Sequence, residues 1–430
     1  MKFANLSTID FIKILEQASS THGANKLYYS IRNANIIIQN FEDAISFLKS
    51  VSKFMKMRIL DGTIDFLGQF EMPKSDLIPQ INQITKEQEK KEIITNKEEL
   101  NNSEDFECMY KFFEDLASQG DQKTISESCE SGLWKINGSN GNNVLHEACY
   151  KGNLTLTKLL IENGCDKESK NNFGTSPLVH ASAGGHLEVV KYLVSIGADK
   201  EAKNKDGNTP FIVASAEGHL EVVKYLVSIG ADKDAKNIDG LTSLIVASNY
   251  GHLEVVKYLV SAGADKEAKN INGFTPLIAA SNNGHLEVVK YLVSAGADKE
   301  AKNIYGFTSL IVASQNGHLE VVKYLVSIGA NKEAKNINGL TSLIAASIIG
   351  HLEVVKYLVS AGADKDAKTI DELTSLISAS NNGHLEVVKY LISAGADKDE
   401  KNIYGFTPLI SASSNGHLEV VKYLVSIGAK

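Results

Sequence analysis

Three arrangements of side chains in this sequence could do chemistry. The first is a tripeptide His-Leu-Glu that recurs from His186 to His417, and His-x-Glu is half of the zinc deaminase signature. The other half, Pro-Cys-x-x-Cys, is absent. Histidines on successive packed helices stand about 10 Å apart, too far to share an ion, so they read as helix-start residues. The second arrangement is His146 with Cys149, placed to face each other on one helix as base and thiol. Its alternative is a histidine that braces a loop beside a small buried residue. The third is the set of four cysteines, Cys108, Cys129, Cys149 and Cys165. It has no Cys-x-x-Cys pair and none of the density of a secreted disulfide framework, which points to free thiols in a reducing compartment. The phosphate-loop, dinucleotide, HExxH and GxSxG signatures are missing. No metal and no cofactor is expected. Catalysis would have to lie in residues 1–100, where His, Asp and Cys form no cluster.

The chain has 430 residues, of which 43% are hydrophobic and 22% charged, so it has the composition of a folded protein. A net charge of -8 disfavours nucleic acid as the main partner, because such partners are held by basic stripes that release counterions. The first residues break into polar side chains before an apolar signal region forms, and no apolar run reaches the length of a membrane span. A cytoplasmic protein without a transmembrane segment is expected.

What positions the histidines is a repeat. GHLEVVKYLV begins at Gly185, Gly218, Gly251, Gly284, Gly317, Gly350 and Gly416, with GHLEVVKYLI at Gly383, and the starts are 33 residues or a multiple of 33 apart. A diverged copy, GNLTLTKLLI, begins at Gly152 in the same register. A fixed period of this length is the mark of a solenoid of stacked units. Within one unit, Thr209 is an N-cap and Pro210 a first helical residue, and Gly218 stops that helix. His219 opens a second helix with an apolar stripe of Leu220, Val223, Leu226 and Val227, and Gly230 ends it. The polar ADKDAKNIDG that follows reads as a hairpin-like finger with an Asp-Gly turn.

This unit resembles the ankyrin repeat, with its TPLH-type first helix, GH-type second helix and GAD-type turn. The resemblance covers about 141–430 as nine repeats. It implies an all-α solenoid of stacked helix pairs whose fingers and first helices line a concave, partner-facing side. Two departures are visible. The TPLH histidine survives only as His146 and becomes Val179, Ile212, Ile245, Ile278, Ile311, Ile344, Ile377 and Ile410; and Glu372 replaces a finger glycine, which is expected to distort that turn.

Ahead of the repeats, helical spacing and capping pairs at Ser7/Asp10 and Asn40/Asp43 suggest a small helical bundle over 1–70. A charged linker is expected at 71–103. A helical N-terminal cap follows at 104–140, built on Phe106, Met109, Phe112, Phe113 and Leu116 and on a further helix from Ile125 to Trp134.

Comparison of the repeats with one another separates an unchanging framework, HLEVVKYL, from variable positions at the finger tips, after the finger glycine and at the first-helix ends. Drift at exposed sites favours polar residues, yet Tyr250, Phe274, Tyr305, Phe307, Ile348, Ile349, Tyr404 and Phe406 occupy these places, and aromatic anchors dominate interface energetics. The expectation is a non-enzymatic scaffold that binds a protein partner with these residues. The alternatives are a structural tether linking a membrane or cytoskeletal partner to a target of the N-terminal bundle, and an adaptor for an enzyme in residues 1–100. Weak end-to-end self-association is expected through the C-terminal repeat, where Leu418, Val421, Leu424 and Val425 would face no neighbour.

Overall fold

A computed structural model describes residues 4–7, 35–37 and 103–430. Of the N-terminal helical bundle expected over 1–70, only two short segments are described, and both are strands. Strand β1 (Ala4–Ser7) pairs in parallel with β2 (Asn35–Ile37). Ile36 and Ile37 belong to a run of three isoleucines; β-branched side chains are stiff and prefer a pleated strand, a bias that helical spacing around it does not capture. The helices expected from Ile9 and Phe41, and the linker up to residue 102, lie outside the described residues. The all-α expectation holds for the solenoid, and the rest of the bundle expected over 1–70 lies outside the described residues.

From 103 onward the described residues are helical. Helix α1 (Ser103–Gln119) and α2 (Gln122–Glu130) are followed by a 3-10 turn at Leu133–Lys135. Nine helix pairs succeed them. They are α3 (Val144–Tyr150) with α4 (Leu154–Glu162), α5 (Pro177–Ala183) with α6 (Leu187–Ser195), and α7 (Pro210–Ala216) with α8 (Leu220–Ser228). Next come α9 (Ser243–Asn249) with α10 (Leu253–Ser261), α11 (Pro276–Asn282) with α12 (Leu286–Ser294), and α13 (Ser309–Gln315) with α14 (Leu319–Ser327). The last three are α15 (Ser342–Ile349) with α16 (Leu352–Ser360), α17 (Ser375–Asn381) with α18 (Leu385–Ser393), and α19 (Pro408–Ser414) with α20 (Leu418–Ser426).

Local chemistry sets these boundaries. The Thr209 hydroxyl accepts from the Ile212 amide at 3.2 Å and caps α7, and Pro210 takes the first helical place where an N–H has no partner. The second helix buries Val222, Val223 and Leu226, whereas Leu220 and Val227 of the expected stripe are only half-buried. The buried face is centred on the side toward the unit's own first helix, and the flanking residues meet the neighbouring second helices. On the outer face Lys224 reaches Glu221 at 2.7 Å, a pair that recurs in each later repeat.

At the N-terminal end, α1 packs on α3 and α4, and α2 packs on α4. Phe106, Met109, Tyr110, Phe112, Phe113 and Leu116 are all buried there. Gly120, Gly132 and Gly141 carry left-handed φ values of 68°, 77° and 73°, as the framework glycines of the repeats do. The pair α1/α2 is thus built on the repeat plan with a longer, aromatic first helix. At the other end Leu418 and Val425 are 60% and 58% exposed, while Leu424 is fully buried against its own first helix rather than bare.

Candidate binding surface

The fingers are tight hairpins, each organised by one asparagine except where Thr369 takes its place and its hydroxyl accepts from the Leu373 amide at 3.0 Å. In the third repeat the Asn237 side-chain oxygen accepts from the amides of Asp239 and Leu241, at 3.0 and 2.8 Å, and the Asn237 amide donates to the Leu241 carbonyl at 3.1 Å. Side-chain-to-backbone bonds of this kind stabilise a turn without help from its neighbours. This answers the loss of the TPLH histidine. In the first repeat His146 braces the finger, its Nε2 lying 3.0 and 3.1 Å from the carbonyls of Ser169 and Thr175. In the fourth repeat Ile245 fills that space against Leu241 and Ala268 and against Ala279 of the fifth.

Successive fingers are knitted together. The amides of Ile238, Ile271, Ile304, Ile337 and Ile370 each donate to the preceding tip at 2.9–3.1 Å. A Cβ added at Gly207, Gly240, Gly273, Gly306 or Gly339 would fall 2.8–3.0 Å from the next finger's backbone, so glycine is required both for its φ and for this approach. Glu372 stands where the eighth finger has no glycine. It holds the turn at φ 56°, and its amide still donates to Thr369 at 3.0 Å. The turn is therefore kept rather than distorted, and the joint beyond it is longer, with the Ile403 amide 3.3 Å from the Asp371 carbonyl.

The first helices end on the same side. Asn283 donates to Asn249 at 2.9 Å, Asn316 to Asn282 at 3.0 Å and Asn415 to Asn381 at 2.9 Å, a row of side-chain amides. Ile348 and Ile349 interrupt that row, and α15 is a residue longer than the other first helices of the repeats. The carbonyls of these helix ends are held from the next repeat by the recurring histidines. His252 Nε2 donates to the Ala216 carbonyl at 2.7 Å, His285 to Asn249 at 2.9 Å, and His384 to Ile348 at 2.9 Å. A Cβ on Gly251 would fall 2.5 Å from the His285 ring. Glycine and histidine therefore act as one joint between repeats, a role that the helix-start reading misses.

Of the residues singled out by variability, Tyr250, Tyr305, Ile349, Tyr404 and Phe406 are exposed. Phe274, Phe307 and Ile348 are half-buried. Phe274 and Phe307 close their fingers through backbone bonds to Asn270 and Asn303. Tyr305 sits on a finger tip and Tyr250 and Ile349 at helix ends. A second exposed row escapes the variability criterion because it barely varies. Ile238, Ile271, Ile304, Ile337, Ile370 and Ile403 occupy the same tip position and are 52–64% exposed. The readable signal was that an isoleucine recurs in a turn, where its type is disfavoured.

The chemistry weighed from the sequence finds no assembled site among the described residues. His146 Nδ1 accepts from the Asn143 amide at 3.2 Å, so both ring nitrogens are engaged with the backbone. Burial pushes the Cys149 thiol up to about 12, far from a reactive thiolate. Cys129 and Cys165 are buried with their sulfurs 3.8 Å apart as free thiols. Among the described residues no group of three His, Cys, Asp or Glu side chains is placed to hold a metal, and no helix is long and apolar enough to cross a membrane.

The family model for ankyrin repeats matches overlapping segments that together run from 115 to 430, beginning inside α1. The chain belongs to the ankyrin repeat family. Ankyrin repeats generally mediate protein–protein interaction and are typically non-enzymatic. No curated protein matches this ankyrin repeat chain.

Proposed function

We propose that the chain is a scaffold that captures a partner protein on the face made by its finger tips and first-helix ends. The observation that carries this is the exposure of Tyr250, Tyr305, Ile349 and Tyr404 on that one face, beside an outer face of regularly paired Lys and Glu. Exposed aromatic and aliphatic side chains clustered on a rigid support are the usual makings of a binding surface. The support is rigid because fingers, histidines and asparagines each tie one repeat to the next. Affinity capture with the full chain tests it. Tyr305→Ala with Ile349→Ala should weaken partner capture by about 2–4 kcal/mol and leave the melting temperature unchanged. The control Glu320→Ala with Lys323→Ala, on the outer face, should capture as the parent does. Retained capture with lost stability in the Tyr305/Ile349 variant would contradict the assignment.

A further inference from the structure

The tip isoleucines are 52–64% exposed and belong to no buried core cluster. The side chains stand in solvent at turn corners, where a β-branched residue is a poor choice, and the fingers are held by backbone and asparagine bonds. Two residues before each isoleucine comes a lysine. Lys269, Lys302 and Lys335 are exposed, and each donates only to the backbone carbonyl of the corresponding lysine in the next finger, at 3.1, 2.9 and 2.9 Å. The carboxylates closest in sequence are turned away. Glu267, Glu300 and Glu333 accept from the amides of Asp298, Asn331 and Asp364 in the following repeat. The three central tips also lack acid, since Asn272, Tyr305 and Asn338 stand where Asp239 and Asp371 flank them. The middle of the ridge thus presents apolar side chains beside unneutralised cations.

We propose that this double row docks an amphipathic helix of the partner protein, one that repeats an apolar residue every seventh position with acidic residues alongside. The proposal rests on the binding face argued above and specifies what that face takes. The spacing is the first argument. Successive tips follow the stacking of the helix pairs, and packed helices stand about 8–10 Å apart, so each repeat advances the row by about that distance. Seven residues of α-helix rise about 10.5 Å, whereas alternate residues of an extended strand rise about 6.8 Å. Width is the second. A lysine and an isoleucine two residues apart lie within about 7 Å along the chain, a span that a helix about 10–12 Å across covers. Charge is the third, because cations without carboxylate partners attract an acidic flank and steer its approach.

The full chain titrated with synthetic peptides by fluorescence anisotropy tests this. The probe is a helical peptide of about four heptads, with leucine at each seventh position and glutamate beside it. One control repeats leucine every fifth position, and a second is a proline-rich peptide whose leucines recur every third. The heptad peptide should bind best. Ile271→Ser with Ile304→Ser and Ile337→Ser should weaken it at least about tenfold. Lys269→Glu with Lys302→Glu and Lys335→Glu should do the same and abolish the salt dependence. Absence of binding, equal binding of the five-residue control, tighter binding of the proline-rich peptide, or full affinity in the isoleucine variant would each overturn the proposal. Captured partner lost by Tyr305→Ala with Ile349→Ala, yet kept by both ladder variants, would sink the helix proposal and leave the binding face standing.

Discussion

Replacing Glu372 by glycine should stabilise the C-terminal repeats by about 1 kcal/mol. Holding a non-glycine residue in the left-handed region costs about 1–2 kcal/mol, and glycine returns roughly 0.5–1 of that as unfolded-state entropy. The exposed pair of Glu372 with Lys368 at 3.7 Å contributes little to offset this. The gain has a second source. The Glu372 Cβ occupies the place where, at Gly339, an added Cβ would fall 2.9 Å from the next finger's backbone, and the following joint is the longest of the series at 3.3 Å. Native-state hydrogen exchange at the Ile403 amide reads both, and 1 kcal/mol slows it about fivefold. Glu372→Asn separates them, because asparagine tolerates the φ but keeps the Cβ. It should recover part of the stability and leave Ile403 exchange fast. Equal effects of Asn and Gly would refute the contact argument, and no effect of either would refute the strain.

Ser309 and Ser342 take the first helical place that Pro210, Pro276 and Pro408 occupy elsewhere, and their buried hydroxyls have no hydrogen-bond partner. Ser309→Pro and Ser342→Pro should each add about 0.5–1 kcal/mol in chemical denaturation, since the preceding threonines are already extended. Burial, reinforced by the His180 ring 5.0 Å away, lowers His146 to about 4. A folded pKa below the unfolded value of about 6.5 means the neutral ring's stability is present above that pH and is lost as pH falls toward 4, roughly 3 kcal/mol in all. Fluorescence of Trp134, the sole tryptophan, should report acid opening of the N-terminal repeats, and His146→Ile should remove most of that dependence. His285→Ala should cost about 1–2 kcal/mol by orphaning the Asn249 carbonyl. Gly251→Ala should then cost less in that background than alone, a coupling that denaturation of the double mutant measures.

The repeat was legible because its period is unbroken and each unit carries its own caps, proline and glycine stops, so local and global signals agree. Thr209, Pro210, Gly218 and Gly230 mark boundaries that the helices obey. Less legible were features whose partner lies a repeat away in sequence. His285 reads as the start of α12, and only the approach of Gly251 and the Asn249 carbonyl reveals it as a joint. The α1/α2 pair hid its relation to the repeats because Gly120 and Gly132 precede Gly152 and Gly164 by one residue less than the period. The strands at the N-terminus were obscured by helical spacing in the flanking sequence. For the binding face, variability between repeats found Tyr250, Tyr305 and Ile349 but also drew in Phe274 and Phe307, which are half-buried at finger bases. It passed over Ile271, Ile304 and Ile337 because a surface residue that does not vary looks, in sequence, like a core residue.

On the proposed binding mode the finger and first-helix side, not the outer helices, meets the partner. Hydrogen–deuterium exchange of the full chain, alone and saturated with the captured partner, tests it directly. Protection is expected to concentrate at the tips around Ile271, Ile304–Tyr305 and Ile337 and at the helix end Ile348–Ile349. Protection confined to the outer second helices around Glu320 and Lys323, with the finger tips exchanging as in the free chain, would contradict it.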